Sequence, residues 1–170
     1  FLYKKAKKNL IKEIKKHNLF FNNDIIEYPI NSIKYLKLIA KKIKKYNGGL
    51  LTFDYGYSSK KNKNTLQSVK NHKYIDILSS PGKSDITSHI NYNLFIKILK
   101  NSDLDVKKIT SQNKFLHRLG IIERANILSS RISFKHKADM FFRLKKMLHK
   151  NEMGSLFKVF FAKKKERNFH

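Results

Sequence analysis

Asp54, Tyr55 and Gly56 follow directly on the apolar run Leu50 to Phe53. A carboxylate at the carboxyl end of a buried strand faces the crevice in which open parallel sheets hold their ligands. There it can orient a cation or accept a proton. The same tripeptide also suits a plain turn, with the aspartate bonding nearby backbone and the glycine supplying positive φ. Asp85, Thr87 and His89 occupy alternate positions, so an extended chain sets a carboxylate, a hydroxyl and an imidazole on one face. That set is fit for general acid or base work; the competing reading is a loop tied down by its own side-chain hydrogen bonds.

Other chemistries find no footing. None of the 170 residues is cysteine, which excludes disulfides, thiolate nucleophiles and sulfur-held zinc. The seven histidines are dispersed, with no pair at the i, i+4 spacing of a zinc helix, so no metal is expected. No complete phosphate loop, dinucleotide loop or GxSxG elbow occurs.

The elements that would position these residues alternate between helix and strand. Leu10, Ile11 and Ile14 predict a lysine-rich helix over 4–17, and Asn22, Asn23 and Asp24 a turn. From a cap at Asn31 or Ser32, the residues Ile33, Leu36, Ile39, Ala40 and Ile43 predict an amphipathic helix. Gly48 and Gly49 are expected to stop it, ahead of a fully buried strand from Leu50 to Phe53. Ser58 to Asn91 is polar and too long for a simple loop, so it reads as a functional insertion. Beyond it, Leu94 to Leu99 predicts a helix, Val106 to Thr110 a strand, and Phe115 to Ile122 a helix broken near Gly120. Met140 to Leu148 predicts a further helix whose methionines fill core, and Leu156 to Phe161 a buried strand before a solvated tail.

With 41% hydrophobic residues the chain can bury one ordinary core. No apolar run approaches the roughly 20 residues that span a bilayer. The formal charge of +26 has two readings. One is attraction to nucleic acid or another polyanion. The other is the codon bias of an A+T-rich genome, which enriches lysine, asparagine, isoleucine and phenylalanine together. The scatter of lysines along every segment favours the second.

Five blocks then fall in order: GGLLTFDYGY from Gly48 to Tyr57, TLQSVKNH from Thr65 to His72, PGKSDITSHINY from Pro81 to Tyr92, SQNKFLHRLGIIER from Ser111 to Arg124, and EMGSLFKVF from Glu152 to Phe160. Their order and spacing resemble the C-terminal half of the MidA family, across residues 25–162. Residues 1–24 form a poorly matched basic segment, and residues 163–170 a basic tail. The family includes bacterial methyltransferases and a mitochondrial relative that assists respiratory complex I assembly through arginine methylation.

The resemblance implies an α/β fold: the C-terminal part of a Rossmann-like class I methyltransferase, with a long insertion after a central strand and a closing antiparallel strand. Asp54 to Gly56 would end the fifth strand, Val106 to Thr110 would be the sixth and Leu156 to Phe161 the antiparallel seventh. It implies S-adenosyl-L-methionine as cofactor. The loop that holds most of that cofactor is expected before Phe1, so no cofactor-binding residue is carried over, and the chain is read as a fragment that is inactive alone. Segment 81–89 becomes a pocket wall. Asp54, Asp85 and His89 are the expected catalytic residues, and Tyr55, Gly56, His72 and Thr87 the expected substrate-binding ones. The expected substrate is a protein, with arginine as acceptor and a complex I subunit as one candidate. The alternative is a non-catalytic basic module on the same fold, binding nucleic acid or serving assembly. A bacterial source would imply the cytoplasm, and a eukaryotic one the mitochondrion.

Overall fold

A nine-residue strand, β1 (Gly49–Tyr57), organises the molecule. The computed structural model describes residues 4–19, 25–59 and 64–166; the expected turn at Asn22 to Asp24 lies outside them. Ahead of β1 come the helices α1 (Lys8–Lys16) and α2 (Ile30–Tyr46). Helix α2 starts at Ile30 with Pro29 as its cap, earlier than Asn31 or Ser32 would have placed it. Proline serves there because its fixed φ suits a helix entry and the first N–H groups lack partners in any case. The helix is stopped by Asn47, which takes the left-handed conformation at φ 53° instead of Gly48 or Gly49. Asparagine tolerates that region better than any other residue with a side chain of its size.

Strand β1 is not buried throughout. Leu50, Thr52 and Asp54 are half-buried while Leu51 and Phe53 are exposed by 49% and 42%, the alternation of a strand covered well on one face. The Ser58–Asn91 insertion is a small antiparallel sheet: β2 (Gln67–Lys70) lies between β3 (Lys73–Ile75) and β4 (Asp85–Thr87). Strand β5 (Ile90–Asn91) follows and pairs in parallel with the end of β1, Gly56 to Ile90 and Tyr57 to Asn91. The chain then enters α3 (Tyr92–Lys100), capped by the Asn91 side chain, which accepts the Leu94 N–H at 3.2 Å.

The expected Val106–Thr110 strand is split into β6 (Leu104–Val106) and β7 (Thr110–Ser111). Both pair with one strand, β8 (Phe157–Lys164). Val106 opposes Ala162 and Thr110 opposes Val159, so residues 107–109 face only 160–161. One extra residue makes a bulge that interrupts the ladder. Helices α4 (Gln112–Arg118), α5 (Ile121–Ser129), α6 (Phe134–Leu148) and the short α7 (Met153–Leu156) lie between β7 and β8. Gly120, at φ 73°, divides α4 from α5.

Strand β8 runs antiparallel to β1 from Gly49 opposite Lys163 to Tyr55 opposite Phe157, and antiparallel to β6 on its other side. The order β1-β8-β6 places the antiparallel closing strand between the two that the resemblance would make the fifth and sixth. The main core lies between this sheet and α1 to α3, where Tyr92, Leu94, Ile98, Leu99 and Leu104 are at most 2% exposed. Each such side chain contributes about 1.5–3 kcal/mol of burial. A smaller core joins Ala125, Leu144 and Leu148 of α5 and α6, with Met140 packed beside it and Met147 largely at its exposed rim. The other edge of β1, from Gly49 to Tyr55, carries no strand among the described residues.

Candidate functional site

The carboxyl end of β1 is drawn tightly against β5 and α3. A Cβ on Gly56 would stand 2.4 Å from the Ile90 carbonyl oxygen and 2.7 Å from the Tyr92 ring, so only glycine permits the approach. The fully buried Tyr92 donates its hydroxyl to the Asp54 carbonyl at 3.0 Å, with the Lys158 carbonyl sharing it at 3.3 Å. It thereby clamps β1 to β8. Burial, and then the nearby Asp54 carboxylate, push its phenol up to about 12, so Tyr92 stays a neutral donor.

Asp54 is half-buried, and one of its carboxylate oxygens accepts the Tyr55 N–H at 2.8 Å. By strand alternation Tyr55 points to the opposite face. Its ring meets His89 edge to face at 5.3 Å and Phe157 at 5.6 Å. The His89 N–H donates to the Thr65 hydroxyl oxygen at 2.9 Å. Thr65 in turn donates its hydroxyl and its N–H to the Glu27 carboxylate at 2.5 and 2.6 Å, and the Leu66 N–H adds a third bond at 2.8 Å. Glu27, in the segment before α2, thus anchors the insertion. A cavity of about 320 Å³ opens beside this network, lined by Glu27, Tyr28, Tyr57, His89, Asn91 and Phe95 among others.

The expected site residues are only partly gathered here. Asp54, Tyr55 and Gly56 lie within β1 instead of following it, Asp54 opposite Lys158 and Tyr55 opposite Phe157; His89 meets Tyr55, and of the expected site residues it alone lines the cavity. Asp85 and Thr87 are extended in β4, as their alternation suggested, yet neither lines the cavity. Asp85 is exposed opposite Val69, and Thr87 accepts a hydrogen bond from the Gln67 side chain at 3.1 Å. His72 is exposed at φ 61° in the turn between β2 and β3, the end of that hairpin away from the Gln67–Thr87 pairing. The tripeptide Gly82–Lys83–Ser84 belongs to a turn before β4, not to a strand-to-helix phosphate loop. Glu27 and Tyr92 went unnoticed in the sequence. Glu27 had a signal, being one of 12 acidic residues against 38 basic ones and lying beside an apolar stretch. Among the described residues no group of three or more histidines and carboxylates is placed to hold a metal. No described helix is long and apolar enough to cross a membrane.

Residues 2–110 match the model of a family described as "Putative S-adenosyl-L-methionine-dependent methyltransferase". The mitochondrial protein arginine methyltransferase NDUFAF7 of Xenopus tropicalis is 26% identical over 140 residues, 81% of this chain and 32% of the relative. Its Caenorhabditis elegans homolog is 30% identical over 86 residues, 51% of this chain and 20% of the relative. The crystal structure of a "likely methyl transferase" from Burkholderia thailandensis, bound to S-adenosyl-homocysteine, superposes with a TM-score of 0.71 at 20% identity. That match covers 94% of this chain and 42% of the other, and it establishes the Rossmann-like fold. The chain therefore spans a minor part of the length of each of these proteins.

A cofactor of this kind needs backbone donors for its amino-acid end and a partner for its ribose. Among the described residues no glycine-rich turn joins a strand end to a helix; Gly82 and Gly120, each at φ 73°, sit in the turn before β4 and between α4 and α5. The residues present do not fit the whole cofactor, and none of them is assigned to it.

Proposed function

We propose, from the premise that the chain belongs to the S-adenosyl-L-methionine-dependent methyltransferase family matched over residues 2–110, that it forms the acceptor side of a class I protein methyltransferase acting on arginine. The names of the relatives, protein arginine methyltransferases at 26–30% identity, support the acceptor. The family's cofactor supplies the methyl group. What falls to this chain is to bind the acceptor, align it and keep water away, which is most of what such a transfer needs.

A guanidinium is a planar fork of N–H donors that a carboxylate can engage with two bonds. The half-buried Asp54, three residues before the end of β1, is the observation that carries the proposal. Its carboxylate would hold one guanidinium edge and localise a nitrogen lone pair as a proton leaves. Asp85, exposed on β4, is the weaker candidate for that role. The Tyr55 and His89 rings, on the other face of β1 from the Asp54 side chain, would bound the approach to the strand end rather than touch the guanidinium. Because the described residues lack a cofactor loop, residues 1–170 by themselves are expected to bind no cofactor and show no turnover.

The test is Asp54→Asn and Asp85→Asn in the full-length protein, with turnover on a protein acceptor and S-adenosyl-L-methionine affinity measured separately. Asp54→Asn is expected to cut turnover by about a hundredfold, some 2.7 kcal/mol, and to leave cofactor affinity unchanged. Unaltered turnover in both variants would overturn the acceptor-side role.

A further inference from the structure

Helix α2 carries six lysines and no acidic residue, and α1 carries four lysines against Glu13 alone. Where these two helices meet the end of α3 there is a groove of about 310 Å³. Lys16, Lys37, Lys41 and Lys44 line it, together with His17 and Asp103. Asp103 pairs with Lys44 at 3.6 Å; Lys16, Lys37 and Lys41 have no ion pair among the described residues. Lysines near the last carbonyls of α3 also complement its dipole.

His17 is the second observation. It is 5% exposed, and neither of its ring nitrogens has a hydrogen-bond partner. The Glu13 carboxylate stands 3.9 Å away, beyond hydrogen-bond reach. Burial holds the imidazole below its ordinary pKa despite Glu13, and Lys37, Lys97 and Lys16 push the same way. Lys97 is fixed close by, its ammonium donating to the His17 carbonyl at 3.2 Å. A buried base is thus kept unprotonated inside a converging positive field. Leaving both nitrogens unpaired costs stability.

We propose that this groove binds a multivalent phosphate anion. Ammonium groups are compact charges suited to phosphate oxygens, and a multivalent anion would neutralise several lysines at once where a single carboxylate offsets one. It would also offset the share of the His17 suppression that Lys37, Lys97 and Lys16 add to that of burial, so the imidazole titrates at higher pH when the groove is filled. The anion is either a free polyphosphate or the phosphate backbone of a nucleic acid, which share this chemistry.

The experiment titrates the full-length protein with inorganic tripolyphosphate, and separately with a short oligothymidylate, by calorimetry at physiological ionic strength. Tripolyphosphate is expected to saturate at one per chain. The double variant K37Q/K41Q should weaken it by at least about tenfold, while K145Q/K146Q, which removes equal charge from α6, should leave it within about twofold. The His17 ring signals in NMR should titrate at higher pH when the groove is filled. Oligothymidylate that competes with tripolyphosphate and responds to K37Q/K41Q would identify a nucleic-acid backbone as the source; tripolyphosphate binding without such competition would identify a free anion. Absence of saturation, equal losses in the two double variants or an unmoved His17 titration would overturn the site.

Discussion

The edge of one ring meets the face of the other where Tyr55 packs on His89, their planes 73° apart. Such a pair adds about 0.5–1.5 kcal/mol beyond the area it buries, enough to hold the Tyr55 ring in place at the strand end. His89→Ala is expected to lower turnover of the full-length enzyme about tenfold, roughly 1.4 kcal/mol, with cofactor affinity unchanged. Turnover and cofactor titration, run on the same preparation, check it; a loss confined to cofactor affinity would remove His89 from the acceptor side.

Gly56→Ala should be costly for its size. The added methyl meets the Ile90 carbonyl and the buried Tyr92 ring, neither of which is the loose end of a flexible side chain. Overpacking of this kind costs about 1–3 kcal/mol. Denaturant unfolding is expected to show that loss, whereas Gly82→Ala, whose Cβ would have nothing within 4 Å, pays only for its positive φ.

Tyr92 makes stability sensitive to alkali. Its phenol is raised from 10.0 to about 12 in the folded chain, so the unfolded chain releases its proton first as pH rises. The stabilisation is complete below about pH 10 and is lost as pH climbs toward 12, up to about 2–3 kcal/mol. Tyr92→Phe should be less stable than wild type at neutral pH by about 1–2 kcal/mol, having lost the clamp on Asp54 and Lys158. The gap should close above about pH 10. Unfolding curves of both proteins across that range decide it.

His17 has the opposite sign. Its folded pKa lies below the ordinary 6.5, so the unfolded chain binds the proton first and stability falls as pH drops through the window beneath 6.5. His17→Leu removes the two unpartnered nitrogens and should match or exceed wild-type stability at neutral pH. Its advantage should widen with acid, as thermal unfolding at about pH 7 and pH 5 will show.

Apolar spacing located α2 and α3 to within a few residues, because each buries one face against the core. It missed the end of β1, which runs on from Phe53 to Tyr57, and the start of α6, which begins at Phe134 and not Met140. The small sheet escaped notice for a physical reason. Its strands, QSVK, KYI and DIT, have three or four residues each, too short for a period to register, and lie mostly at the surface. The split of Val106 to Thr110 depends on its distant partner β8 and has no local signature. The site divides likewise. Strand-end logic singled out Asp54 to Gly56, although β1 runs through them to Tyr57, while Glu27 gains its contacts from Thr65, 38 residues on. Whether Asp85, Thr87 and His89 act together was a question of fold; Asp85 and Thr87 belong to β4, and His89, between β4 and β5, is the one of the three that lines the cavity.

The placement of β8 between β1 and β6 also sets a sequence of events during synthesis. Gly49 pairs with Lys163 and Leu104 with Lys164, so both flanking strands leave the ribosome long before the one that joins them. Until then each keeps an unpaired hydrogen-bonding edge. Contacts so far apart in sequence form late and slowly, and exposed edges of that kind invite aggregation in the interval. The stretch from Phe157 to Lys164 is therefore the latch of the sheet, joining β1 to β6 and β7.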